Sequence, residues 1–179
     1  RRRASLRGIV ASALCVLVLV EYGQLSPASM PVPSGDSTVP RAYLDMNEDP
    51  IQGAVLDLPM TVPNLERAVY VWYQAGHRRP VPWGLNDPMP TTLLGNRLTT
   101  TLIRIEATRA QSLPPRMPLL DLVVGGRLLA RSGYRFVVLH ERLVPTAKRV
   151  QLIAVLDGVF GPPQVYESDG LRVWTVPEI

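Results

Sequence analysis

Apolar and polar residues alternate in blocks of distinct character along the chain. From Gly8 to Val20 (GIVASALCVLVLV) thirteen residues pass without a charge. The run is apolar on every side rather than along one stripe, as in a helix surrounded by lipid or by a core. Four arginines, Arg1, Arg2, Arg3 and Arg7, precede it, and Glu21 ends it. A helix extended from Ala4 to Gln24 is about 31 Å long at roughly 1.5 Å per residue. That spans a hydrocarbon core when Arg7 snorkels to one face and Tyr22 lies in the other interface. A cleaved signal peptide and a buried soluble helix are the rival readings. Pro27 within Ser26-Pro27-Ala28-Ser29 makes a poor cleavage site, and the arginines argue against a buried helix. The pattern thus predicts a transmembrane helix over residues 1–25, with the arginines cytoplasmic and everything after Glu21 extracytoplasmic, in the cell (inner) membrane. An opening Arg in place of Met reads as a piece of something longer, with this span the last of several.

Residues 26–50 predict a proline-rich linker. Ser26 to Pro40 has four prolines and no periodicity, the composition of an extended spacer. Arg41–Glu48 can form a short helix before Asp49-Pro50. Over residues 51–179 short apolar runs alternate with helical spacing. Ala54–Leu58 reads as a buried strand ending at Pro59. A helix from Pro63 to Ala75 places Leu65, Val69 and Trp72 (with Tyr73) on one side, with Gly76 as its stop. His77 to Gly84 carries Pro80 and Pro82, so it lies at a sheet edge or in a loop. Leu94, Leu98, Leu102, Ile105 and Arg109 recur at helical spacing across Thr92–Gln111, which Pro114-Pro115 follow. Leu119–Arg131 reads as a helix despite Gly125-Gly126, Tyr134–His140 as a strand and Thr146–Leu156 as a helix. Val165–Glu167 and Leu171–Val176 flank Ser168-Asp169-Gly170 as a hairpin. The fold class expected is α/β: a mixed sheet flanked by helices, with antiparallel strands at the end.

Composition narrows the function classes. Hydrophobic residues make up 46% and charged residues 19%, which excludes wholesale disorder. One cysteine, Cys15, excludes a disulfide framework and a cysteine zinc cluster, and two histidines argue against a histidine-rich metal site. The four N-terminal arginines account for the whole net charge of +4, so the charge does not point to nucleic acid. Gly125-Gly126 lies within a helical pattern rather than in a strand-to-helix turn, so no cofactor is indicated. The polar cluster that stands out is His77-Arg78-Arg79. Guanidinium groups pair with phosphate, which makes these three candidates for contact with an anionic head group. Gly-His-Arg-Arg-Pro also fits a solvated helix C-terminus, where cations oppose the dipole. Asp57 with Glu66, and His140-Glu141-Arg142 at a strand end, have the residue types of acid–base sites but no aligned nucleophile.

Several stretches together resemble a known architecture. They are the apolar helix with its acidic-aromatic end, the proline-rich lead, VLDLPM, WYQAGHRRPVPWG, RSGYRFVVLH and GPPQVYESDGLRVWTV. The series resembles the C-terminal extracytoplasmic region of bacterial polytopic membrane glycosyltransferases that use polyprenyl-phosphate sugars. The matching positions are Leu58-Pro59 and Gln74, His77, Pro80 and Gly84; Leu85-Asn86 stand where the family has Ser-Arg. In such enzymes the catalytic acidic residues lie in early loops, which corresponds to sequence upstream of Arg1. The resemblance therefore implies an accessory domain with no catalytic residue of its own, partnered by the bilayer, the upstream membrane part and a lipid-linked sugar. A membrane-tethered binding module without enzymatic activity is the alternative. A small secreted hydrolase would need a nucleophile paired with a base, and the sequence offers none.

Overall fold

A computed structural model describes residues 2–20, 38–82, 84, 87–108 and 118–178. The chain forms two compact units, Arg1–Thr38 and Val39–Ile179. In the first, α1 (Arg2–Val20) contains the apolar run, and Leu14, Leu17 and Leu19 are exposed. Among the described residues no helix is long and apolar enough to cross a membrane. Within α1 the uncharged stretch is Gly8–Val20, thirteen residues or about 20 Å at 1.5 Å each, against a hydrocarbon core of about 30 Å. Residues 21–24, which the expected span needs, lie outside the described residues, as do residues 26–37 of the expected linker.

The second unit is mixed α/β. Its elements are α2 (Arg41–Glu48), β1 (Ala54–Leu58), α3 (Asn64–His77), α4 (Thr91–Leu94), α5 (Arg97–Ala107), α6 (Leu119–Arg131), β2 (Tyr134–His140), a 3-10 turn, α7 (Thr146–Phe160), β3 (Gln164–Tyr166) and β4 (Leu171–Thr175). The four strands form one sheet in the order β1-β2-β4-β3. β1 and β2 run parallel, with Asp57 opposite Val138, while β4 is antiparallel to both β2 and β3. Strand side chains alternate between faces. Leu56, Leu58, Val137, Leu139 and Trp174 therefore join a core with Leu98 and Leu102 of α5, Leu129 of α6 and Leu152 of α7. Val55, Phe136, Val138 and Val173 face the other way, against Ala42, Tyr43 and Met46 of α2. The sheet is thus covered on both faces, and its parallel strands, β1 at the edge and β2 inside, are mainly apolar.

Four expectations need correcting. The linker does not extend to residue 50, because Ala42, Tyr43 and Met46 are buried and α2 belongs to the folded unit. The buried face of α3 is not that of Val69 and Trp72, which are exposed. Tyr70 and His77 are buried instead, with Tyr73 partly so, at spacings of three and four. The side chains of Leu65 and Glu66 lie outside the described residues. Gly76 does not stop α3: it lies inside the helix, where an added Cβ would come 2.4 Å from Val39 Cγ1. Lastly, the single helix expected over 92–111 is two. Asn96 interrupts it and caps α5, its Oδ1 accepting from the backbone N–H of Leu98 at 2.9 Å. The break resets the helical phase, so Leu93 is buried and Leu94 exposed. Arg109 and Pro114-Pro115 lie outside the described residues.

Gly125 and Gly126 have a packing role. A Cβ at Gly125 would sit 2.7 Å from the backbone nitrogen of Leu98, and one at Gly126 2.6 Å from Val159 Cγ1. Gly125 lets α6 approach the α5 backbone and Gly126 makes room for the Val159 and Phe160 side chains of α7, and the Gly125 carbonyl accepts from Asn96 Nδ2 at 2.9 Å.

Candidate functional site

Alternation along β1 puts Asp57, between Leu56 and Leu58, on the face covered by α2 and α3. The same parity puts His140 at the end of the neighbouring strand on that face. The Tyr43 hydroxyl reaches down from α2 between them. It donates to Asp57 Oδ1 and lies 2.9 Å from His140 Nε2, which is itself 3.1 Å from Asp57 Oδ1. Aromatic rings from α3 close the cluster. Tyr73 stacks on Tyr43 with centroids 4.7 Å apart, Tyr70 lies 4.7 Å from the His140 ring, and His77 lies 5.3 Å from Tyr43. Both histidines of the chain thus meet around one tyrosine.

Burial governs the electrostatics. Tyr43, Asp57, His77 and His140 are all buried. Burial, and then the neighbouring Asp57 carboxylate, raise the Tyr43 hydroxyl well above its ordinary range, so it stays a donor. Burial likewise lowers His77 to about 4; Asp57 opposes this shift and Arg79 adds to it. His77 Nδ1 accepts from the backbone N–H of Arg79 at 3.1 Å, so the neutral ring carries its proton on Nε2. Asp57 Oδ2 and His77 Nε2 have no hydrogen-bond partner.

The three residues expected to meet an anionic head group separate in the structure. His77 is 1% and Arg79 2% exposed, so both side chains are turned away from solvent. Arg79 turns inward across Phe136, with its guanidinium carbon 5.0 Å from the ring centre. Its Nε and Nη2 donate to the Met46 carbonyl at 2.9 and 2.6 Å, Nη2 to Asp49 O at 2.7 Å and Nη1 to Ile51 O at 2.6 Å. Arg78 alone is exposed, as the left-handed C-cap of α3 at φ 54°.

The remaining motif residues are structural as well. Gln74 Nε2 donates to the Arg79 carbonyl at 3.1 Å, and the Pro80 carbonyl accepts from the Val55 N–H at 2.9 Å. That bond lays the segment after α3 along the outer edge of β1, where its prolines are tolerated. The Leu58–Pro59 peptide is cis. Leu85 and Asn86 lie outside the described residues. Sequence reasoning missed Tyr43 and Tyr70 and gave Tyr73 only a packing place; the available signal was the spacing of Tyr70, Tyr73 and His77 along one helix face.

A second polar point lies beside a crevice of about 190 Å³ lined in part by Pro59, Pro63, Val144 and Pro145. Glu106 of α5 accepts there from the N–H groups of Met60 (3.0 Å) and Thr61 (2.9 Å). Burial raises its carboxyl, against the pull of those bonds and of Lys148. Lys148 Nζ donates to the Glu106 backbone carbonyl. Both side chains are engaged in holding α5 and α7 to the segment after β1. Among the described residues no group of three or more His, Cys, Asp or Glu could hold a metal ion. Compared with protein-family models, with curated proteins and with solved structures, the chain matches none.

Proposed function

We propose that this chain is a membrane-tethered accessory domain of a glycosyltransferase-type membrane protein that uses a lipid-linked sugar, with the catalytic residues upstream of Arg1. The observation that carries this reading is the burial of the polar groups at the ends of β1 and β2. Tyr43, Asp57 Oδ1 and His140 bond to one another inside the domain, His77 accepts from the turn after α3, and Arg79 ties that turn to the Met46 carbonyl of α2. Buried groups of this kind orient a layer of structure, and their burial keeps them away from solvent. The residues that carry the resemblance, Leu58-Pro59, Gln74, His77 and Pro80, fall on this same brace, in keeping with a domain whose motif encodes its shape. For the tether, the basic start and apolar remainder of α1 favour insertion with Val39 onward outside the cytoplasm.

The expected result is that the purified chain transfers no sugar from a polyprenyl-phosphate-sugar donor to peptide or glycan acceptors. Turnover by this chain alone, abolished by Asp57→Asn, would replace the accessory reading with a catalytic one.

A further inference from the structure

The outer face of α6 is built for a surface rather than for this domain's core. Leu120, Val124 and Leu128 recur every four residues and are all exposed, Leu120 at 73% and Val124 at 46%. Residues at that spacing form one ridge along a helix. Arg127 and Arg131, also exposed, are interleaved with the ridge at its C-terminal half. Beside it opens a groove of about 630 Å³, lined by Val123, Gly126, Val159, Phe160 and the same two arginines. Its acidic member is Glu178, and Asp121 of α6 is half-buried.

We infer that α6 lies on an anionic bilayer surface, with Leu120, Val124 and Leu128 in the interface and Arg127 and Arg131 at the phosphates. Charge complementarity selects this occupant. An apolar ridge alone would suit a second copy of the chain equally well. Two arginines within the ridge would repel their counterparts across such an interface, whereas beside lipid they bury their stems and meet anionic phosphates. At the increment usual for a basic residue near such a surface, the pair gives a preference of roughly 30-fold for anionic over neutral lipid. The inference rests on the tethering proposed above and assigns it a second contact.

The test uses the full chain with Cys15→Ser and a single environment-sensitive fluorophore on Val124→Cys, with a Val150→Cys label on exposed α7 as the control. The chain is mixed with phosphatidylcholine vesicles with and without phosphatidylglycerol, and co-sedimentation is measured in parallel. Docking predicts a blue shift at position 124, not at 150, that appears with phosphatidylglycerol and is lost when Arg127 and Arg131 are both changed to Glu. A chain that pellets with both vesicle types while the 124 label stays unshifted overturns docking and leaves the tether standing. Pelleting only with phosphatidylglycerol, abolished by the double Glu change, supports docking and removes the tether. An equal shift on neutral vesicles, a concentration-dependent shift without vesicles, or no pelleting at all each overturns it.

Discussion

Replacing Arg79 by Ala is expected to cost about 4 kcal/mol of stability, whereas Arg78→Ala at the adjacent position changes it by less than about 0.5 kcal/mol. The contrast follows from where the two guanidinium groups go. Arg78 is exposed, and Ala pays the same left-handed backbone penalty at φ 54°. Arg79 is buried and supplies the donors for the carbonyls of Met46, Asp49 and Ile51, the stretch that connects α2 to β1. Truncation removes the Arg79 donor from the Asp49 and Ile51 carbonyls and leaves Met46 O with only the Asp49 N–H, and each buried orphan costs on the order of 1–3 kcal/mol. Arg79→Lys should recover little, since an ammonium cannot reproduce a planar fork that serves three acceptors. Urea unfolding of the three variants measures this. A midpoint for Arg79→Ala equal to that of Arg78→Ala would show that the guanidinium braces nothing; failure of Arg79→Ala to fold while Arg78→Ala folds agrees with the account.

Acid is expected to weaken the protein through His77 before the carboxylates titrate. The folded value of about 4 lies below the ordinary 6.5 of an unfolded histidine. The folded state therefore favours the neutral ring, and the unfolded chain takes up the proton first as pH falls. The contribution is complete above pH 6.5, declines from there down to the folded value, and is constant below it. Between pH 7.5 and 5 this one group should remove about 2 kcal/mol. Protonation of Nδ1 would also break the bond from the Arg79 N–H, so the same event loosens the brace. His77→Gln, which cannot titrate, should start less stable but flatten the profile over that range by about the same amount. Stability measured by denaturant at a series of pH values decides it, and parallel profiles for the two proteins would exclude His77 as the acid-sensitive group.

What could be read from the sequence, and what could not, divides along one physical line. β1, β2 and α6 were legible to the residue, because β1 and β2 are short, mainly apolar and β-branched or aromatic runs with sharp bounds and α6 is bounded by Pro118 and Ser132-Gly133. The terminal hairpin was legible from Ser168-Asp169-Gly170, whose glycine takes φ 68°. The face of α3 was misread because Val69 and Trp72 outrank Tyr70 in hydrophobicity; only Tyr73 was on the expected face. Tyrosine, however, brings an apolar ring and a hydroxyl that a buried polar cluster needs. The break at Asn96 had a local signal, since Gly95-Asn96 before a threonine run is cap chemistry. Arg79 had none. Its partners lie 28 to 33 residues earlier in the chain, and no local pattern distinguishes a solvated Arg-Arg pair from one exposed and one buried arginine. The membrane span stays where the sequence put it, as an expectation.

The account stands on α2 being a fixed part of the domain, held by Arg79 from one side and by the Tyr43–Asp57 bond from the other. Amide hydrogen exchange of the intact chain measures this directly. The amides of residues 43–48 should exchange as slowly as those of α3 and speed up in Tyr43→Phe. Exchange of that helix at the rate of unstructured chain, with the sheet still protected, would contradict it.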